Sequence, residues 1–306
     1  MQDPARATAE KIKKLEIQGA RNVAIAAIAA METLASQTKT DSKKEFLKEL
    51  LEAKETLFAS RETEPLMRNA IRLIINQVEK NPEKSVQKLM GTVSAASKQF
   101  LVDLENSKER IAEIGAKRIR NKSVVFTHCH SSTVTNLLKK AKQRGKDFDV
   151  VCTETRPLFQ GRITAKEMLG IGVKTTFIVD SATRSFMNQV DLAIVGADAI
   201  TSEGNVINKI GTSTVAFVAQ EARTPFYVIS ELLKFDPDTM YGDYEKIEER
   251  GASEIWEDPP SKLEIRNPAF DVTRRDFIHG IICEEGIISP HSITEVMHRK
   301  YSWVFK

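Results

Sequence analysis

The side chains able to do chemistry in this chain fall in five short polar clusters, each following an apolar run. The first is Thr127-His128-Cys129-His130-Ser131-Ser132-Thr133. Its thiol is a candidate base or nucleophile. Its three hydroxyl residues stand where a helix would begin, and N–H groups there attract an anion such as phosphate. The same residues also make an ordinary helix cap, and an isolated cysteine is more often inert core, so the segment alone leaves both readings open. His128 and His130 flank the thiol. Strand alternation would put both imidazoles on one face and the sulfur on the other, which argues against one zinc ion held by all three.

The second cluster, Thr153-Glu154-Thr155-Arg156-Pro157, runs on to Gln160-Gly161-Arg162 and offers guanidinium and amide groups to an oxygen-rich ligand, or a structural ion pair. In Gly196-Ala197-Asp198 a carboxylate follows the apolar run LAIV. It either caps a turn or sits where a dry environment raises its pKa and lets it shuttle a proton. Asn208 and Lys209 interrupt an apolar segment just before Gly211-Thr212-Ser213, and Lys234 follows the run FYVIS. Each suits a phosphorylated ligand, although a lysine taken alone is more often a surface solvator. The sequence contains no CxxC pair, HExxH or GxSxG motif, and Gly170-Ile171-Gly172 leads from a helix into a strand, the reverse of a dinucleotide loop.

These clusters require a particular scaffold. The runs SVVFTH (123–128), DVVCTE (149–154), TTFIVD (175–180), LAIVGA (192–197) and FYVIS (226–230) alternate with helical segments. That is the rhythm of a mostly parallel, doubly wound α/β sheet, which binds ligands beyond the carboxyl ends of its strands. Residues 1 to about 118 instead read as all-helical, with helices expected near 5–17, 19–35, 42–57, 63–79, 83–91 and 92–119. The expected organisation is a helical domain over 1–119 and a Rossmann-like α/β domain over 120–306 carrying most of the site. No repeat or flexible linker separates them.

Composition excludes several functions. The 45 basic and 42 acidic residues leave a net charge of +3 with the signs interspersed, so no nucleic-acid partner is expected. The longest nearly pure apolar run, Val23 to Met31, is about half of a bilayer span, so no membrane partner is expected either. The first residues lack the apolar core of a signal peptide, and cysteines at 129, 152 and 283 form no disulfide framework, which points to the cytoplasm.

Taken in order, HCHSST, TETRPLFQGR, IVGAD, NKIGT, VISELLKFDP and NPAFDVT resemble the superfamily of sugar-phosphate isomerases related to regulatory subunits of translation initiation factor 2B. The nearest branch is that of ribose-1,5-bisphosphate isomerases, with methylthioribose-1-phosphate isomerases as cousins. The resemblance spans essentially the whole chain and is strongest from 123 to 273. It implies Cys129 as catalytic base and Asp198 as catalytic acid. It implies substrate contacts from Gly19, Ala20, Arg21, Arg61, Ser131, Ser132, Thr133, Arg156, Gln160, Asn208, Lys209 and Lys234.

The resemblance further implies a sugar-bisphosphate substrate, no metal or organic cofactor, and a homodimer or hexamer whose contact region includes Phe270-Asp271-Val272-Thr273. Two departures stand out. Family members carry Arg-Gly-Ala near the start where this chain has Gln18-Gly19-Ala20-Arg21, and Arg274 stands where Pro is usual. The stretch Thr63-Glu64-Pro65-Leu66-Met67-Arg68-Asn69-Ala70 resembles the noncatalytic translation-factor subunits. A bisphosphate specificity predicts that Arg21, Arg61 and Arg68 converge on the site. Helix-start N–H groups are expected to favour a Cys129 thiolate, and a dry pocket to keep Asp198 protonated.

Overall fold

The computed structural model describes residues 3–61, 63–242 and 246–305. Five helices come first: α1 (Pro4–Lys13), α2 (Ala20–Gln37), α3 (Lys43–Phe58), α4 (Pro65–Lys80) and α5 (Val86–Ala116). Asp3 starts α1 by accepting the Ala5 N–H at 2.9 Å, with Pro4 in the first turn, where its missing N–H is harmless. The apolar stripes of α2 and α4, including Val23, Ala27, Met31, Leu66, Ile71 and Ile74, bury against Leu89, Val93 and Phe100 of α5.

Two expected helices, 83–91 and 92–119, are one continuous α5 of 31 residues. Gly91 does not break it, because the apolar stripe continues in phase on both sides and that packing outweighs one glycine's poor propensity. The far end of α5 leaves the helical core: Ile111 and Ala116 pack with Leu137, Val150 and Ile194 under the sheet. One rod thus spans both layers.

The sheet strands are β1 (Ser123–Thr127), β2 (Phe148–Thr153), β3 (Thr175–Ile178), β4 (Leu192–Val195), β7 (Phe226–Ile229), β9 (Gly280–Cys283) and β10 (Gly286–Ile288). Their spatial order is β10-β9-β7-β4-β1-β2-β3, with every neighbouring pair parallel except β10 with β9. Helices α6 (Ser132–Gln143), α7 (Gly161–Gly170), α8 (Thr183–Met187), α9 (Thr212–Glu221) and α10 (Ile293–Lys300) complete it. All five strands read from the sequence are present, and the Rossmann-like sheet follows an all-helical start as expected.

Unanticipated was a second, antiparallel sheet of β5 (Ala199–Ile200), β6 (Val206–Lys209) and β8 (Phe270–Thr273), in which Lys209 pairs with Phe270 and Asn208 with Asp271. Its strands are short, and β6 pairs with β8 across some sixty residues of chain, which local periodicity cannot reveal. Strand order reverses at β1 and β4. These pair Val125 with Leu192 and Phe126 with Ala193, so the two strand exits leave the sheet side by side.

Candidate active site

The β1 strand stops at Thr127, and Cys129 turns away with φ +66°. The histidines therefore do not alternate along a strand. His128 points to Thr153 and Ile210, while His130 lies 3.2 Å from Thr164 Oγ1 and 3.7 Å from Glu167. Ser131 does cap α6, accepting the Val134 N–H at 3.5 Å. It also stands against Gly196 of the neighbouring exit, where an added Cβ would lie 2.7 Å from Ser131 Oγ. Only glycine allows this approach, and Asp198 follows two residues later.

Cys129, Ser131, Ser132, Thr133, Gly196 and Asp198 line one cavity of ≈ 590 Å³. From the helical layer, Gly19, Ala20, Arg21 and Arg61 reach the same space, and Gln160, Asn208, Lys209 and Lys234 complete the sequence-predicted set there. Gln160 Oε1 has no hydrogen-bond partner among the described residues, leaving an acceptor for a ligand.

Two expected cations lie elsewhere. Arg156 does not line the cavity: its guanidinium reaches the Ile255 carbonyl at 3.2 Å and covers the Phe159 ring. Arg68 lies 3.7 Å from Asp236 and over Phe58, so the three helical-half arginines do not all converge. In their place come Arg250 and Lys108, which no motif had marked. Arg250 sits in irregular chain between β7 and β8, and Lys108 on a half-exposed face of α5, so neither had a strand end to advertise it.

The cations form two braced groups. Arg61 and Lys209 lie 5.8 and 4.9 Å from the Phe270 ring centre, and Glu248 bridges Arg61 at 3.4 Å and Arg250 at 3.2 Å. Glu64, fully buried, holds Arg61 at 3.0 Å. In the other group Glu231 lies 3.0 Å from Arg21 and 3.3 Å from Lys234, and Glu105 lies 2.8 Å from Arg21 and 3.8 Å from Lys108. Burial by itself would raise the Glu231 pKa, but Lys234 and Arg21 outweigh it and hold the carboxylate down at about 2. Lys234 also donates to the Ala197 carbonyl at 2.7 Å, which fixes it beside Asp198.

The thiol does not follow expectation. Burial pushes Cys129 up to about 11, against the opposing pull of the Lys209 ammonium and the His130 N–H. The Lys209 ammonium and the His130 N–H together lose to desolvation. Lys209 is itself moved down by burial.

The sequence pattern of the Initiation factor 2 subunit family matches residues 16–290. The chain belongs to that family. Among its relatives, the ribose 1,5-bisphosphate isomerase of Pyrococcus furiosus is 40% identical over 305 residues, covering 97% of this chain and 94% of that one. The ribose 1,5-bisphosphate isomerase of Archaeoglobus fulgidus is 43% identical over 284 residues, with coverage of 92% and 88%. Among solved structures, the translation initiation factor eIF-2B of Pyrococcus horikoshii OT3 superposes with a TM-score of 0.82 at 30% identity, covering 95% of this chain and 98% of that one. Family membership accounts for the helical start joined to a Rossmann-like sheet. No helix among the described residues is long and apolar enough to cross a membrane.

Proposed function

We propose that the protein is an aldose–ketose isomerase that converts α-ribose 1,5-bisphosphate into ribulose 1,5-bisphosphate. The carrying observation is the meeting of Cys129 and Asp198, from adjacent strand exits, in one cavity bordered by two braced cation groups. A phosphate on O1 prevents a free aldehyde, so the furanose ring must open as C2 loses its proton. Cys129 acts from its ionised form, which the Lys209 ammonium favours against the burial that holds most of the thiol protonated. The thiolate takes the C2 proton, the electron pair forms C1=C2 and the C1–O4 bond breaks, with Asp198 delivering a proton to the departing oxygen. The enol phosphate then collapses: the C2 hydroxyl returns a proton to Asp198, its oxygen becomes the ketone, and Cys129 gives its proton to C1. Both groups are restored, and no step calls for a metal or organic cofactor.

The two cation groups supply binding and alignment for two anionic ends. Arg61, Lys209 and Arg250 make one candidate phosphate subsite, and Arg21, Lys108 and Lys234 with the Ser131–Thr133 helix start make the other. Methylthioribose 1-phosphate, with one apolar tail, would leave one group unpaired. The noncatalytic-subunit reading drew on residues 63–70, but these residues have local work here. Glu64 braces Arg61, and Asn69 donates to the Leu233 and Phe235 carbonyls at 2.9 and 2.8 Å, clamping the turn that carries Lys234. We further propose a cytoplasmic homodimer or hexamer, which light scattering of the purified protein would measure.

The test is product identification after incubation with ribose 1,5-bisphosphate. Ribulose 1,5-bisphosphate is expected, with turnover reduced on the order of a thousandfold in Cys129→Ser and Asp198→Asn. Absence of turnover by the unmodified protein overturns the reading.

A further inference from the structure

His128 takes no part in the steps above, yet it is buried against the loop that carries the thiol. Its Nε2 lies 2.9 Å from the Ile210 carbonyl oxygen. A carbonyl only accepts, so Nε2 carries the proton. Burial moves the His128 pKa down, which keeps the ring neutral and leaves Nδ1 as an acceptor. The Thr153 hydroxyl, 2.6 Å from Nδ1, must then donate to it. Thr155 Oγ1 accepts the Cys129 N–H at 2.9 Å and lies 3.3 Å from Thr153 Oγ1. With the Thr153 proton already committed, Thr155 is the donor of that pair, and its hydroxyl also lies 3.5 Å from the Thr153 carbonyl oxygen, so both of its acceptors belong to Thr153. The chain of contacts runs from the Cys129 N–H through two hydroxyls and one imidazole to the Ile210 carbonyl.

Cys129 needs such a hold, because φ +66° is a region that side chains with a Cβ rarely adopt. Thr155 has φ +63°, and its N–H and that of Arg156 donate to the Asp180 carboxylate at 2.8 and 2.7 Å. That carboxylate lies 3.8 Å from His128 Nδ1. From the other side Thr164 Oγ1 donates to the Cys129 carbonyl at 2.9 Å. At the far end, Gly211 has φ +100°, and a Cβ there would stand 3.1 Å from the imidazole. The ring occupies room that only glycine leaves.

We propose that His128, Thr153 and Thr155 form a directed hydrogen-bond relay which, with Thr164, holds Cys129 in its left-handed conformation and ties it to the Lys209-Ile210-Gly211 turn. The relay sets the thiol relative to the Lys209 cation. These are positioning residues, acting through Cys129 and Lys209. The inference rests on the reading of Cys129 as the base.

The test uses the full chain carrying Thr155→Val, Thr155→Ser or Thr164→Val. For each, kcat and KM on ribose 1,5-bisphosphate are measured beside the pH profile of iodoacetamide alkylation at Cys129, followed by mass spectrometry. Thr155→Val is expected to lower kcat at least about tenfold with KM within roughly threefold, and to displace the alkylation profile. Thr155→Ser, which keeps the hydroxyl, restores both to within about threefold of the unmodified protein. Thr164→Val moves kcat and the profile in the same sense, and it decides the matter if Thr155→Val does not fold by circular dichroism. Folded variants with kcat and profile unmoved overturn the relay, as does a serine variant no better than valine. Should the unmodified protein fail to turn over ribose 1,5-bisphosphate, the functional reading falls, while the alkylation profiles still decide the relay.

Discussion

Arg21 from the second helix and Glu231 from the turn after β7 meet at 3.0 Å, across 210 positions of sequence. The same carboxylate lies 3.3 Å from Lys234 and within 3.4 Å of the Thr133 hydroxyl. One buried anion thus gathers a cation from the helical layer, a cation from a strand exit and the start of α6.

Replacing that anion tests the arrangement. In Glu231→Gln both cations lose their common partner inside a buried site, so the variant is expected to lose about 3 kcal/mol of stability. KM for ribose 1,5-bisphosphate is expected to rise roughly tenfold. Urea unfolding and steady-state kinetics measure the two effects, and a variant with unchanged KM would separate Glu231 from substrate binding.

Arg250 should discriminate between substrates. Arg250→Met removes one guanidinium from the Arg61–Lys209 group while keeping an apolar stem. It is expected to lower kcat/KM for the bisphosphate roughly thirtyfold, the loss of one charge-assisted contact. Kinetics on a ribose 1-phosphate carrying no second phosphate should show a much smaller effect. Equal losses on both substrates would place Arg250 outside the second anion subsite.

The Cys129 thiol provides a pH readout. Because burial pushes Cys129 up to about 11, its alkylation by iodoacetamide should keep rising through pH 9 without a plateau. Lys209 is the largest influence holding it down, so Lys209→Met should slow alkylation at pH 8 by roughly fivefold. A plateau near neutrality in the unmodified protein would contradict the buried environment described.

Stability should also depend on pH with a defined sign. Burial pushes Glu64 and Glu284 up to about 7, and Asp271 up to about 6. Between the ordinary carboxylate range and pH 7 the unfolded chain has released protons that the folded protein retains, so stability falls as pH rises through this window. Glu231 has the opposite sign: its folded pKa is about 2, so its contribution is present above the ordinary range and is lost as pH falls toward 2. Thermal unfolding should therefore show a maximum near pH 5, declining toward pH 7.5. Glu284→Gln should make that decline shallower, as scanning calorimetry would show; a curve unchanged by the substitution would remove Glu284 from the account.

The chain by itself determined those features that depend on local order. Ala, Leu, Glu and Lys at helical spacing mark the first layer, and unbroken apolar runs such as LAIV and FYVIS mark strands buried on both faces. Polar residues beyond those runs offered Cys129, Asp198 and Lys234, Asn208 and Lys209 stood out as a polar break in an apolar segment, and the resemblance of the motifs in order selected all five, which line the cavity. A strand end is a local signal, and a parallel sheet places the carboxyl ends of its strands along one edge, which accounts for Cys129, Asp198 and Lys234 but not for Asn208 and Lys209 in the antiparallel β6.

Tertiary structure decided what depends on residues far apart in the chain. The Glu248 bridge between Arg61 and Arg250, the diversion of Arg156 to Ile255 and of Arg68 to Asp236, and the Lys209–Phe270 pairing arise from contacts across the fold. The state of the thiol was likewise not readable, because the sequence reveals the favourable helix start but not how much water the folded walls remove. Residue type and local spacing say which groups are available. Their partners, and hence their charge and direction, follow only when distant segments are packed together and solvent is shut out.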